Sequence, residues 1–141
     1  PSSCRSGSDA PERNPCSRTI RSSGREKPRR RSKSGETNTL PSAALAAHKA
    51  GVGNDKIDVA ELHAPYSHQE LLLASALGLS ESTTINPSGG ALCANPMMSA
   101  GLARFAEAAS RIMNGTADRA IGHASSGPWM QQNLVCVLEG E

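Results

Sequence analysis

The sequence predicts an α/β unit, layered in the order β-α-β-α-β-β over residues 40–141, behind a disordered basic leader at residues 1–39. Three observations predict it. Near Leu40 the chain changes from a Ser/Arg/Gly/Pro-rich polymer to one with apolar periodicity. Short apolar runs of strand length then alternate with helix-length stretches, and Gly or Pro punctuates the joins.

The leader holds ten of the fifteen Lys and Arg against four acids, whereas residues 40–141 hold five against nine. The overall +2 is therefore a leader of +6 joined to a mildly acidic unit of −4. Ile20 is the leader's only large aliphatic residue, too little to offset the entropy of ordering it. The run Lys27-Pro28-Arg29-Arg30-Arg31-Ser32-Lys33 lacks interleaved aromatics, so a solvated tail is the preferred reading over a nucleic-acid patch. Out-of-frame sequence joined to a gene end is a further reading of this leader. The initial Pro1 in place of Met predicts a fragment of a longer protein.

Within the second part, the Ala-rich segment 41–50 predicts a short helix closed by Gly51. Residues 57–62 predict a buried strand. Ser67 followed by Glu70 predicts a capping box for a helix through Leu77, stopped by Gly78. Residues 83–86 predict a second strand that enters the turn Asn86-Pro87-Ser88-Gly89-Gly90. A long helix follows over 97–114, with Leu102, Phe105, Ala109 and Ile112 on its apolar face and Gly115 after it. Segments 119–123 and 134–138 complete the unit as a hairpin across the turn-rich residues 125–130.

Composition excludes several classes. Aromatics are 2% and hydrophobic residues 37%, so the core must be built from Ala, Leu, Ile and Val. No apolar run is long enough for a membrane span, and the start has no secretory h-region. Cys4, Cys16, Cys93 and Cys136 form no C-x-x-C pair, which argues against a zinc site or a disulfide framework and for a reduced, cytoplasmic protein. No metal site is expected.

Chemistry-bearing segments fall where strands give way to loops: His63-Ala64-Pro65-Tyr66, the Asn86–Gly90 turn, Cys93-Ala94-Asn95-Pro96 and His123-Ala124-Ser125-Ser126-Gly127. Ligands of open α/β sheets collect at the carboxyl ends of strands, and glycines there let backbone N–H groups approach an anion. On these grounds Asn86, Gly89 and Gly90 are candidate substrate-binding positions, with His123 added for its closeness to the last turn. The ordinary reading of His63 and of His123 is a satisfied histidine at a strand end.

The stretch Asn86-Pro87-Ser88-Gly89-Gly90-Ala91-Leu92-Cys93-Ala94-Asn95-Pro96, followed by Ala100-Gly101-Leu102-Ala103-Arg104, resembles an ordered series of the thiolase superfamily. That series is N-x-x-G-G, G-H-P and G-x-x-R in the family's C-terminal half. The likeness covers residues 40–141 and is nearest to sterol-carrier-protein-type thiolases and actinobacterial lipid-transfer relatives. It implies an acyl-CoA acyltransferase of the acetyl-CoA acetyltransferase type, with a coenzyme A thioester as substrate and no bound cofactor. It also implies a nucleophilic cysteine in an N-terminal half that this chain lacks.

The resemblance places three degenerate catalytic positions. His63 falls on the loop residue that polarises the thioester carbonyl or orders a water. Asn95 replaces the G-H-P histidine and can donate a hydrogen bond but cannot act as a base. Ser125 stands near the second catalytic cysteine and is too weak an acid to replace it. The implied partners are acyl-CoA and the missing half or a partner subunit, in a homo-oligomer when complete, with neither membrane nor nucleic acid. The alternative is a non-catalytic acyl-CoA- or lipid-binding scaffold, or an aldolase-like relative.

Overall fold

The computed structural model describes residues 40–140, and the expectation of a disordered leader at 1–39 lies outside them. The first helix, α1 (Pro41–Ala50), starts on a proline whose fixed φ suits the first turn. It buries Ala43, Ala46, Ala47 and Ala50, a stripe at helical spacing. Gly51, at φ 80°, closes it by donating its N–H to the Ala47 and His48 carbonyls.

Strand β1 (Val59–Glu61), helix α2 (Ser67–Leu77) and strand β2 (Thr84–Ile85) follow. The capping box expected at Ser67 and Glu70 does not form. Tyr66 is the N-cap residue, and it makes no side-chain cap bond. Glu70 turns instead to Asn86, whose Nδ2 donates to its Oε2 at 2.5 Å in a charge-assisted bond.

A one-turn helix, α3 (Gly90–Cys93), precedes the long helix α4 (Ala100–Met113) and the hairpin of β3 (Arg119–Ser126) and β4 (Gln132–Glu139). The sheet order is β2-β1-β3-β4, with β1 parallel to both β2 and β3, and β4 antiparallel to β3. The expected α/β class is therefore present as a mixed four-stranded sheet with helices. Both hairpin strands are longer than the sequence predicts, because pairing continues from Arg119↔Glu139 to Ser126↔Gln132. His123 thus lies inside a strand rather than at its end.

Alternation along the strands sends side chains to two faces. Ala60, Ile121, Val135 and Val137 join the α1 and α2 residues Ala43, Ala47, Leu73 and Leu77 in one cluster. Val59, Ala120, Cys136 and Leu138 join Ala108 and Ile112 of α4 in the other. The result is three layers, α/β/α. Helix α4 can lie close to β3 because Gly122 has no Cβ, and one placed there would come 2.2 Å from Phe105.

The buried stripe of α4 differs from the expected one. Arg104, Ala108 and Ile112 are buried, Phe105 and Ala109 are half-buried, and Leu102 is 70% exposed. The cause is electrostatic: Arg104 turns inward to meet a buried carboxylate, which rolls Leu102 outward. Met97 and Met98, expected inside this helix, precede it and are exposed. No helix among the described residues is long and apolar enough to cross a membrane.

Candidate functional site

Three segments meet at the imidazole of His63. His63 sits two residues beyond the carboxyl end of β1, Ser125 lies near the end of the adjacent parallel strand β3, and Asn95 belongs to the connection between α3 and α4. His63 Nε2 is 3.2 Å from Asn95 Oδ1, and His63 Nδ1 is 3.1 Å from Ser125 Oγ. His63 and Ser125 are half-buried and Asn95 is exposed, so the cluster lies at the surface end of the sheet.

The partner at Nε2 sets the ring proton. Asn95 Oδ1 only accepts, so His63 Nε2 is the donor to it. In the neutral ring Nδ1 is then an acceptor; it faces the Ser125 hydroxyl and the Ser125 N–H, the latter at 3.4 Å, and lies 3.3 Å from the Ser125 carbonyl oxygen, to which it offers no hydrogen in this tautomer. The same hydroxyl is 3.3 Å from the His63 carbonyl. Asn95 Nδ2 has no partner among the described residues, which leaves it available to an incoming oxygen.

His123 supports this arrangement from below. It is fully buried, and its Nδ1 accepts the His63 backbone N–H at 3.3 Å while its Nε2 lies 2.9 Å from Asn133 Oδ1. Burial pushes its pKa down to about 4, against the Asn133 hydrogen bond, which favours the charged form. His123 is therefore a neutral spacer that holds the backbone of His63.

A second polar group lies one turn of chain away and escaped the sequence reading. Glu61, fully buried on β1, accepts from Arg104 Nη1 at 3.1 Å and from Ser88 Oγ at 2.7 Å and N–H at 3.0 Å. Arg104 also donates to Ser88 Oγ at 2.9 Å, so strand, helix and glycine turn are tied at one point. An acid inside an apolar strand and an arginine at helical spacing from Ala108 and Ile112 were the available signals.

The candidate substrate-binding residues are engaged within the fold. Asn86 Oδ1 accepts the Leu62 N–H at 2.6 Å, and Asn86 Nδ2 is bound by Glu70. The Gly89 N–H donates to the Asn86 carbonyl and the Gly90 N–H to Ser88 Oγ, so the turn offers neither of these donors to an anion. A Cβ on Gly90 would come 2.8 Å from the Asn86 side chain, which is why this position, at φ 60°, takes glycine. Asn86 and His123 thus hold the backbone N–H groups of Leu62 and His63, while the Gly89 and Gly90 N–H groups are spent within their own turn.

Cys93 is exposed and Cys136 is buried on the α4 side of the sheet. No three His, Cys, Asp or Glu side chains cluster as a metal site requires among the described residues. A polar cavity of about 360 Å³ lined in part by Lys56, Asp58, Thr84 and Asp118 lies at the amino ends of the parallel strands, away from His63. No family model and no curated protein matches this chain.

Proposed function

We propose that residues 40–141 are the C-terminal portion of a thiolase-like, acyl-CoA-handling protein, and that His63, Asn95 and Ser125 form the seat of the thioester carbonyl. The observation that carries the reading is the meeting of these three side chains on one imidazole at the carboxyl ends of β1 and β3. Those strand ends are where open α/β sheets bind ligands. Asn95 Nδ2 is the free donor for a thioester oxygen, and His63 holds the Asn95 amide through its Nε2–H.

Pantetheine and acyl-chain contacts come, on this reading, from a further part of the protein or a partner subunit. Leu92, Met97, Met98 and Leu102 flank Asn95 in sequence and are all more than half exposed, an apolar surface suited to being covered. Carbon–carbon bond cleavage would need the thiol and base that Ser125 and Asn95 replace, so the chain alone should not thiolyse acyl-CoA.

Titration of the full chain with acetyl-CoA tests the reading, with free coenzyme A as the control for phosphate attraction. The Asn95 donor contributes about 1 kcal/mol and is held in place by His63, so His63→Ala should weaken acetyl-CoA roughly fivefold and leave coenzyme A unchanged. Equal acetyl-CoA affinity in the two proteins would overturn it.

A further inference from the structure

Ser125, His63 and Asn95 are joined in the order of a nucleophile, a base and an orienting group, at 3.1 Å and 3.2 Å. The orienting bond places the ring proton on Nε2 and leaves the Nδ1 lone pair facing the Ser125 hydroxyl, the tautomer a general base needs. The members come from three separate segments, so their meeting is a property of the fold rather than of one turn.

We infer that Ser125 is an acyl-accepting nucleophile, activated by His63 and oriented through Asn95, and that its substrates are acyl thioesters and comparably activated esters. The inference rests on the reading of this site as a thioester seat. In the first step Ser125 Oγ bonds to the thioester carbonyl carbon and its proton passes to His63 Nδ1. The carbon–sulfur bond then breaks, the thiolate leaves with that proton, and an acyl-Ser125 ester remains. Water, deprotonated by the same nitrogen, adds to the ester, and the carboxylic acid departs as Ser125 recovers its proton.

The substrate class follows from Asn95. A neutral amide holds the imidazole in place but lends no charge to the imidazolium that forms, so the pair suits substrates with good leaving groups. A thiol of pKa about 8.5 leaves readily as its anion, whereas an amide nitrogen must be protonated first. The neighbouring His123, kept neutral by burial, adds no second positive charge beside His63 as the imidazolium forms.

The test uses the full chain, a fluorophosphonate probe with the labelled residue located by mass spectrometry, and thiol release from acetyl-CoA. Ser125 should be labelled, Ser125→Ala should abolish both signals, and His63→Ala should slow them at least a hundredfold. Asn95 is exposed, so Asn95→Asp is expected to fold; its carboxylate would stabilise the imidazolium and raise the rate at least tenfold. A merely structural hydrogen bond would not respond in that direction.

Circular dichroism of each variant confirms that a lost signal belongs to a folded protein. A folded chain whose Ser125 stays unlabelled, or is labelled equally fast without His63, would overturn the inference. If acetyl-CoA binds in a His63-dependent way while Ser125 stays unlabelled, the nucleophile fails and the thioester seat stands. If Ser125 is labelled and acetyl-CoA is neither bound nor hydrolysed, the nucleophile stands and the thioester seat fails.

Discussion

His123 is buried with no charge to balance it, and this makes it a measurable probe of the site's support. Its folded pKa is lowered from 6.5 to about 4, chiefly by desolvation. The unfolded chain takes up a proton at this ring as pH falls through 6.5, while the folded chain does not until about 4. The stability it contributes is therefore complete above 6.5 and lost as pH falls toward 4, to a total on the order of 3 kcal/mol. Urea midpoints at pH 7 and pH 4.5 should show this fall. His123→Gln, which removes the titrating ring, should show a clearly smaller one. An equal fall in both proteins would assign the acid sensitivity to the carboxylates instead.

The glycine turn between β2 and α3 is held by the Glu61–Arg104 pair through Ser88, and buried pairs of this kind are expensive to break from one side. Glu61→Gln leaves the Arg104 charge inside the protein and should cost about 3–5 kcal/mol in urea unfolding. Replacing both partners, Glu61→Leu with Arg104→Met, should recover most of that loss while the Ser88 N–H exchanges with solvent faster. A double variant with wild-type exchange at Ser88 would mean that the pair does not position the turn.

This same pair marks where the sequence stopped being legible. The class of every long element could be read, because Gly51, Gly78 and Gly115 stop helices by left-handed backbone and the apolar runs have strand or helix periods. The face of α4 could not, because periodicity counts Leu102 as core and Arg104 as surface, and only the distant Glu61 reverses them. Likewise Ser67 and Glu70 have the spacing of a cap, and only Asn86, sixteen residues beyond Glu70, explains why the cap is absent. His63, Asn95 and Ser125 could be nominated from loops. Their common imidazole could not, since β1 and β3 are neighbours only in the folded sheet.

At the scale of the described residues, the exposed apolar side chains Leu92, Met97, Met98 and Leu102 lie close to Asn95 in sequence. Leu102 and Met98 are 70% and 102% exposed, so lysine at both should change the stability of this chain by less than about 0.5 kcal/mol in thermal unfolding. The same substitutions should reduce binding of an apolar fluorescent dye, and stability lost by more than 2 kcal/mol would show that these residues are core.

The thioester seat itself is tested most directly with acetyl-CoA carrying ¹³C at the thioester carbonyl, whose resonance moves downfield when the oxygen accepts hydrogen bonds. Bound to the full chain, the carbonyl signal should shift downfield, and His63→Ala and Asn95→Ala should each remove part of the shift. A bound ligand whose carbonyl resonance stays at its free position, or shifts equally in all three proteins, would contradict the account.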